Sequence, residues 1–412
     1  MSLFRLAAVA TLAPAALFAQ NDPPGNPAIR AAMDRIRTDN TWTVEQQVSI
    51  CEIPAPPFME ERRAAEMKRR FEALGLQNVR IDSIGNVIAE RPGAGGGPVV
   101  VLAAHLDTVF PEETDVRVKR DGATLRGPGI GDDCRGLAVI LAVAKAMMAS
   151  NVRTNGTVYF VANVGEEGPG NLRGVKHLFA KPPAKIDYFI SVDGTGLGLT
   201  SRAVGSNRYK VSFKGPGGHS YGAFGMPSPI HALGRAIAKI SAIQVPRSPK
   251  TTFNVGIVEG GTSVNTISPL GSMDVDLRSE SPDELAKLDA SFRKAVDEAL
   301  AEENARWPQS RVKVTMDMAT IGIRPAAAPP DSSRIIQVAQ AAGRALGFDA
   351  PGGASSTDAN WPMSLGIQAI TLDGGGEGRG SHSVSESYAD GERGWLGPQW
   401  ALLTVAMLSG VR

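Results

Sequence analysis

The stretch Thr157-Val-Tyr-Phe-Val-Ala-Asn-Val164, which runs into Gly165-Glu166-Glu167-Gly168, decides the fold of this chain. Its continuous apolar character is typical of a strand that is buried on both faces of a parallel sheet. The two carboxylates at its end point in different directions, so one can bind a metal ion while the other moves a proton. An isolated Glu-Glu pair would instead indicate a solvated turn.

Three other apolar runs also lead to residues that can bind a metal ion. Val99–Ala104 precedes His105-Leu106-Asp107, and Tyr188–Val192 precedes Asp193. The third run is followed by the glycine-rich stretch that leads to His382. Ligands of parallel α/β sheets collect at the carboxyl ends of the strands. These residues are therefore expected to converge at one edge of a sheet.

Strands and helices alternate around these runs. The helix that follows Gly136 has its apolar residues on one stripe. The alternation predicts an α/β fold with a mainly parallel sheet and helices on both faces. From Arg208 to Ala319 the order changes to β-α-β-β-α-β, which suits a ferredoxin-like α+β unit. We predict a catalytic domain over residues 25–205 and 322–412, with an inserted lid and dimerisation domain over residues 206–321.

The bulk properties limit the classes of partner and the compartment. A chain of 412 residues is too long for one typical hydrophobic core, so about two domains are expected. Its 43 Lys and Arg residues nearly balance its 42 Asp and Glu residues, which argues against nucleic acid or an anionic membrane as a partner. Residues 1–20 carry Arg5 and then an apolar run that is too short for a membrane span. They predict a signal peptide cut near Ala19 and an exported protein, periplasmic or secreted.

Cys51 and Cys134 are the only cysteines. An exported chain can form disulfides, but sequence alone does not show whether these two residues meet. We favour two separate thiols over a bridge.

The segment Gly127-Pro-Gly-Ile-Gly131 delivers Asp132 and Asp133 to the start of a helix. A glycine loop at this place also suits a phosphate group. However, the loop lacks the lysine and serine of a phosphate-binding loop, and two carboxylates would repel a phosphate. A carboxylate here can instead bridge two metal ions, because each of its oxygens can bind one. Two histidines with Asp and Glu oxygens suit zinc best, with manganese or cobalt as alternatives.

These motifs together resemble the M20 family of dizinc metallopeptidases, which includes glutamate carboxypeptidase, the tripeptidase called peptidase T, and acetylornithine and succinyl-diaminopimelate deacylases. The resemblance covers nearly the whole chain after the leader. It is carried by five motifs in the family's order: His105-x-Asp107, Gly131-Asp132-Asp133, Glu166-Glu167-Gly168, Asp193-Gly194 and Gly380-Ser381-His382. It implies that Asp132 bridges two metal ions, with His105 and Asp193 completing one site and Glu167 and His382 the other.

The resemblance also implies catalytic roles. Glu166 would be the general base, which takes a proton from the water shared by the metals and passes it to the leaving amine. Asp107 would support His105. In the family, a histidine of a Gly-His-Ser element reaches the neighbouring subunit's site, where it donates a hydrogen bond to the developing oxyanion. His219 matches that histidine, so a homodimer formed through the lid domain is expected, whereas a surface loop would give His219 no such role.

Three residues are candidates for substrate binding. Asn265 resembles the residue that binds substrate across the dimer, and Arg278 and Arg324 occupy positions where relatives hold arginines. A guanidinium binds a free carboxylate bidentately, although exposed arginines are usually solvated. The chain departs from the family pattern at Cys134-Arg135, where many members have a lysine shortly after the bridging aspartate, so a role for that lysine charge is in doubt.

The predicted function is metal-dependent hydrolysis of an amide bond in small peptides, as an exopeptidase. An N-acyl amino acid deacylase on the same scaffold is the main alternative. Gly218-x-Ser220-x-Gly222 also fits the nucleophile elbow of a serine hydrolase, with Asp358 and His382 following in the required order. No helix is expected directly after Ser220, however, and the motif falls in the inserted domain. A catalytically silent binding protein is a further alternative, against which the intact ligand set argues.

Overall fold

The computed structural model describes residues 23–412. The predicted leader, residues 1–20, lies outside the described residues, so the signal peptide stays a prediction. Within residues 23–412, no helix combines the length and apolar character that a membrane crossing requires.

Ten α-helices lie within these residues: α1 (Pro27–Thr38), α2 (Asn40–Cys51), α3 (Glu61–Ala73), α4 (Cys134–Ala149), α5 (Arg173–Ala180), α6 (Pro229–Ser241), α7 (Pro282–Arg306), α8 (Arg334–Ala345), α9 (Asn360–Ser364) and α10 (Leu396–Ser409). Asp39 separates α1 from α2. Gly75 follows the end of α3 with a φ of 79°, the left-handed conformation expected of a glycine at this position.

The same residues form eighteen strands: β1 (Gln77–Ile81), β2 (Val87–Arg91), β3 (Val100–His105), β4 (Lys119–Asp121), β5 (Thr124–Arg126), β6 (Val158–Asn163), β7 (Tyr188–Val192), β8 (Leu199–Ala203), β9 (Gly205–Lys214), β10 (Gly218–His219), β11 (Thr251–Gly260), β12 (Thr266–Ile267), β13 (Leu270–Ser279), β14 (Thr315–Arg324), β15 (Gly352–Ser355), β16 (Gln368–Leu372), β17 (Glu377–Arg379) and β18 (Ser387–Ala389). They build an eight-stranded sheet, two four-stranded sheets and a short pair, β10 with β12.

The large sheet has the strand order β1-β2-β6-β3-β7-β16-β8-β15, and its central strands β6, β3, β7 and β16 are parallel. Every residue of β3, β6 and β7 is buried. Val100 and Leu102 of β3 pack on the side of α4 and α10, whereas Val101 and Ala103 pack on the side of α5 and α9. The prediction of a mainly parallel sheet with helices on both faces is confirmed.

The small sheet has the order β11-β13-β9-β14, and all of its neighbours are antiparallel. Tyr209, Val211 and Phe213 of β9 pack against α6 and α7 in a separate hydrophobic core. The alternating residues Arg208 and Lys210 therefore lie on the opposite face, which is partly open to solvent. This arrangement is the predicted ferredoxin-like unit.

The chain crosses into and out of the small sheet at two adjacent points. Ala203 and Ala327 exchange backbone hydrogen bonds of 2.8 and 3.2 Å. The buried side-chain amide of Asn360 donates to the carbonyl oxygens of both Val204, at 2.8 Å, and Pro325, at 3.1 Å. The side-chain amide of Asn360 thus connects the two segments that join the large sheet to the small sheet. The exact bounds of the two domains stay a prediction.

The expectation of two separate thiols is wrong. Cys51, at the end of α2, and Cys134, at the start of α4, form a disulfide with Cα atoms 5.4 Å apart. The two helices pack against each other although the cysteines are 83 positions apart in sequence. The disulfide therefore depends on the tertiary packing of two helices, which the number of cysteines does not reveal.

Candidate metal centre and catalytic site

Three adjacent parallel strands deliver polar residues to one edge of the large sheet. β3 ends at His105, β6 is followed by Glu166 and Glu167, and β7 is followed by Asp193. Because β6, β3 and β7 are neighbours and run in the same direction, their carboxyl ends meet. Ligand atoms of His105, Glu166 and Glu167 lie within 4.8 Å of one another.

Asp132 lies between two histidines that come from distant parts of the chain. Its Oδ1 is 3.2 Å from Nε2 of His105, and its Oδ2 is 3.2 Å from Nε2 of His382. Each oxygen of this one carboxylate therefore faces one imidazole. This is the geometry expected of a ligand that two cations share.

His382 reaches the cluster from the loop between β17 and β18. Its Nε2 is 3.0 Å from Oε1 of Glu167, and the two residues form a ligand group with Asp132 within 4.8 Å. The side chain of His382 is 56% exposed, whereas that of His105 is 1% exposed. The cluster is thus closed on the side of the sheet and open to solvent on the side of His382.

Asp107 is buried behind His105. The Nδ1 of His105 is 3.0 Å from the backbone oxygen of Asp107 and 3.6 Å from its Oδ1, which turns Nε2 toward Asp132. The carboxylate of Asp107 also accepts hydrogen bonds from the backbone N–H groups of Glu166, at 3.0 Å, and Glu167, at 2.8 Å. Asp107 therefore orients the histidine and fixes the turn that carries both glutamates.

Asp133 links the end of β3 to the start of α4. Its Oδ2 accepts the N–H of His105 at 3.0 Å, and its Oδ1 accepts the N–H of Gly136 at 2.9 Å, where it caps the helix. It also belongs to a ligand group with His105 and Asp193. Its backbone hydrogen bonds hold the neighbouring Asp132 in place.

Sequence analysis missed Glu386, which supports the glycine loop before Asp132. The carboxylate of Glu386 accepts hydrogen bonds from the N–H groups of Gly129, at 3.0 Å, Gly131, at 2.7 Å, and Asp132, at 3.0 Å. Burial raises its pKa to about 7, although these hydrogen bonds oppose the shift. The one signal in the sequence is its position four residues after His382.

The electrostatics of the cluster favour cations. Burial and repulsion by Asp132 raise the pKa of Asp193 well above its ordinary value. Hydrogen bonds with Asp132 and Glu167 raise the pKa of His382 to about 10. Burial lowers the pKa of His105, but the surrounding carboxylates outweigh it and the net shift is strongly upward. Carboxylates and imidazoles at this spacing form a donor set that fits two divalent ions.

Glu166 is buried and paired with Arg324. Nη1 of Arg324 lies 2.6 Å from Oε1 of Glu166, and its Nη2 donates to the backbone oxygen of Glu166. Burial raises the pKa of Glu166 to about 8, with a contribution from Glu167 and against the charge of Arg324. Sequence analysis assigns the Arg324 guanidinium to substrate binding, whereas in this structure it donates hydrogen bonds to Glu166.

The cluster opens into a cleft of about 640 Å³ between the large and the small sheet. Its charged lining consists of Asp132, Glu166, Glu167, Asp193, Asp373, Arg208, Arg278, Arg324 and His382. Arg278 and Arg324 were singled out from sequence, whereas Arg208 and Asp373 were missed. The cleft is polar and large enough for a small peptide.

His219 and Asn265 lie together but outside the lining of this cleft. They are exposed, on and beside the paired strands β10 and β12, and the N–H of Ser220 donates to the backbone oxygen of Asn265 at 2.9 Å. Nδ1 of His219 accepts the N–H groups of Tyr221 and Gly222, both at 3.3 Å. Because Nδ1 accepts, Nε2 of a neutral His219 carries the proton.

The elements around Ser220 do not form a nucleophile elbow. Ser220 follows the two-residue strand β10 and enters a turn, and α6 begins only at Pro229. The carboxylate of Asp358 accepts a hydrogen bond from Asn163 at 2.6 Å, and His382 belongs to the Asp132 cluster. The serine hydrolase alternative therefore lacks its geometry.

Comparison with known proteins places the chain among metallopeptidases. The sequence pattern of peptidase family M20/M25/M40 matches residues 101–393. Carboxypeptidase G2 of Pseudomonas sp. strain RS-16 is 27% identical over 346 residues, which cover 79% of this chain and 78% of that protein. A Staphylococcus aureus tripeptidase superposes with a TM-score of 0.72 at 20% identity, over 90% of this chain and 98% of its own.

A dinuclear metal-binding M20 peptidase of Bacillus subtilis superposes with a TM-score of 0.65 at 17% identity, over 90% of this chain and 99% of its own. At these identities the two structures establish a shared fold. The family match is more specific, because it extends from before His105 to beyond His382 and so includes all five motifs. The chain therefore belongs to peptidase family M20/M25/M40 and is a hydrolase of the metallopeptidase and amidohydrolase class.

Proposed function

We propose that the chain is an exopeptidase that hydrolyses an amide bond of small peptides with two divalent ions, zinc by preference and manganese or cobalt as substitutes. The observation that carries this proposal is Asp132, whose two carboxylate oxygens each face a histidine at 3.2 Å. His105 and Asp193 are assigned to one ion, and Glu167 and His382 to the other. Asp132 is assigned to both.

When bound, the ions would supply Lewis acidity, which polarises the scissile carbonyl and lowers the pKa of the attacking water. Glu166 takes a proton from the attacking water and delivers it to the leaving amine as the C–N bond breaks. Burial raises the pKa of Glu166 above its ordinary value, and a carboxyl with a raised pKa can both accept and release a proton. Asp107 keeps the turn of Glu166 and the ring of His105 in position through the hydrogen bonds described above.

We propose further that the chain acts as a homodimer formed through the small sheet, in which His219 and Asn265 serve the site of the second copy. Both residues are exposed and adjacent, and an Nε2–H of His219 suits a hydrogen-bond donor to an oxyanion. β11 lies at an edge of the small sheet and exposes Ile257 and Val258, and such an edge can pair with another chain.

Export to an oxidising compartment is also proposed. The leader predicts it, and a buried disulfide between α2 and α4 is the kind of bond that persists outside the cytosol. Mass spectrometry of the exported protein checks both points, since it reads the new amino terminus and the state of Cys51 and Cys134. A mature chain that begins at Met1 would contradict export through the leader.

The experiment that tests the central proposal combines metal analysis with hydrolysis. The purified protein should contain two ions per chain, and a chelator should abolish hydrolysis of dipeptides and tripeptides until zinc is restored. Asp132→Ala should lose both ions, whereas Lys210→Ala, a change on the outer part of β9, should keep them. N-acyl amino acids assayed in parallel test the deacylase alternative. Chelator-resistant hydrolysis with fluorophosphonate labelling of Ser220 would contradict the proposal.

A further inference from the structure

Helix α2 borders the glycine loop that delivers Asp132, although none of its residues belongs to the cleft lining. Gln47 and Cys51 are four positions apart on α2, so they lie on the same face of the helix. Both side chains are completely buried. This face of α2 therefore contacts the interior, where the loop lies.

Gln47 makes hydrogen bonds to the chain on both sides of Asp132. Its Nε2 donates to the backbone oxygen of Ile130 at 2.7 Å, and its Oε1 accepts a hydrogen bond from Nη1 of Arg135 at 3.4 Å. Ile130 is buried, so its carbonyl would lack a partner without this amide. One side chain of α2 thus joins the segment before Asp132 to the segment after it.

The disulfide adds a covalent link to the same segment. Cys51 is bonded to Cys134, which lies two residues after Asp132. The N–H of Cys134 donates to the backbone oxygen of Gly129 at 3.2 Å, so the loop closes at the residue that the disulfide holds. Both cysteines are completely buried, and a dissolved thiol cannot reach the bond while α2 stays in place. The bond is therefore a lasting support of the loop rather than an exposed redox switch.

The position of Asp132 affects both halves of the candidate metal centre. Its two oxygens face His105 and His382, so a shift of its backbone would change the geometry on both sides at once. A ligand that is already held in its binding position loses less conformational entropy when an ion binds. Contacts that hold the loop can therefore strengthen metal binding although they touch neither ion.

We propose that Gln47 and the Cys51–Cys134 disulfide are positioning elements of the metal centre, which hold Asp132 in place, raise the affinity for the ions and slow their release. Residues behind a metal ligand typically change metal affinity by about 10- to 100-fold when they are replaced. Gln47 and the disulfide act through the backbone, so we expect the lower end of this range. The inference rests on the proposed function for the presence of the two ions, but zinc binding tests it without turnover.

The test measures the dissociation constant of zinc by competition with a chromophoric chelator. In Cys51→Ala/Cys134→Ala and in Gln47→Met the constant should rise about 10-fold, and zinc should pass more rapidly to an excess of chelator. Gln47→Met leaves the disulfide intact, so it guards against a folding defect in the cysteine variant. Ile336→Ala is the matched control, because Ile336 lies on α8 in the same hydrophobic core and its truncation also destabilises the protein. Ile336→Ala should bind zinc as the wild type does.

The control separates positioning from a general loss of stability. A dissociation constant that rises equally in Ile336→Ala, or one that stays at the wild-type value in both α2 variants, would overturn the inference and leave the proposed function standing. Weaker zinc binding in the α2 variants alone, with no hydrolysis of any amide by the zinc-loaded wild type, would refute the proposed function and support the positioning role. A wild-type protein that binds no zinc would overturn both.

Discussion

The two sheets of the molecule present polar side chains in different ways. The large sheet is covered on both faces, and His105, Glu166 and Asp193 lie at or just beyond the carboxyl ends of its strands. The small sheet has one face without helices, so Arg208 and Arg278 reach the cleft from that face, from within β9 and β13. Changes at the strand ends should therefore lower kcat, and changes on the free face should raise KM.

The largest effect is expected at a strand end. Glu166→Gln should lower kcat by about 10²–10⁴-fold, because the amide cannot accept the proton of the attacking water. KM should change little, and the metal content should stay at the wild-type value, since Glu166 is not assigned to either ion. Steady-state kinetics and elemental analysis check both points. Turnover at the wild-type rate would remove Glu166 from the mechanism.

The next effect tests whether the small unit supplies a catalytic group to a second copy of the chain. His219→Ala should lower kcat by about 10²–10³-fold while the dimer persists, because one hydrogen-bond donor to the oxyanion is lost. Mixed dimers of His219→Ala and Glu166→Gln chains give the sharper result. If His219 acts across the interface, each mixed dimer contains one intact site and activity returns on mixing. If mass spectrometry verifies that mixed dimers have formed and they are inactive, His219 does not act across the interface.

A smaller effect is expected from removal of the disulfide, which should destabilise the part of the molecule around the large sheet and leave the small sheet unaffected. Replacing both cysteines by Ala should lower the free energy of unfolding by about 2–4 kcal/mol, because the disulfide between Cys51 and Cys134 closes a long loop of the unfolded chain. Urea unfolding measures this value. Hydrogen exchange should show the loss around α2 and α4, while the small sheet, with its separate core, stays protected. Loss of protection in both sheets alike would contradict their independence.

The smallest effect concerns Asp373, which follows the parallel strand β16 and lines the cleft. Burial raises its pKa to about 6, above the unfolded value of 3.8, while the N–H of Gly198 opposes the shift. A carboxyl whose pKa is higher in the folded than in the unfolded protein does not change the stability at a pH below the unfolded pKa. As the pH rises above that value, the carboxyl increasingly destabilises the folded protein, and the loss grows until the pH passes the folded pKa. Asp373→Asn should therefore stabilise the protein by about 1 kcal/mol at pH 7.5, less than the full shift implies because the side chain partly faces water.

Urea unfolding at several pH values checks this expectation. The advantage of Asp373→Asn should fade as the pH falls from 6 to 4. A gain that is equal at pH 4 and pH 7.5 would assign the effect to packing rather than to charge. Lys210→Gln serves as a control, because its change lies outside the cleft lining.

The sequence was informative where burial leaves a continuous pattern. The run Tyr188–Val192 coincides with β7, because a strand that is buried on both faces is mostly apolar along its whole length. The same rule indicated that His105 and Asp193 lie at one edge. The prediction that these residues share an edge depends only on local composition and on the order of parallel strands.

Other features depend on distant contacts that leave no local pattern. Glu386 binds backbone N–H groups more than 250 positions away, and the backbone has no sequence signature. Arg208 alternates with apolar residues as any solvent-facing residue of a half-exposed strand does. The bridge between Cys51 and Cys134 depends on the packing of two helices. These residues became visible only with the fold.

The amide of Asn360 has a mechanical consequence. It ties together Val204 and Pro325, the two points at which the chain passes between the large and the small sheet. Arg324 is the residue next to Pro325 and grips Glu166. The join between the two sheets and the carboxylate of Glu166 are therefore connected through two consecutive residues, Arg324 and Pro325.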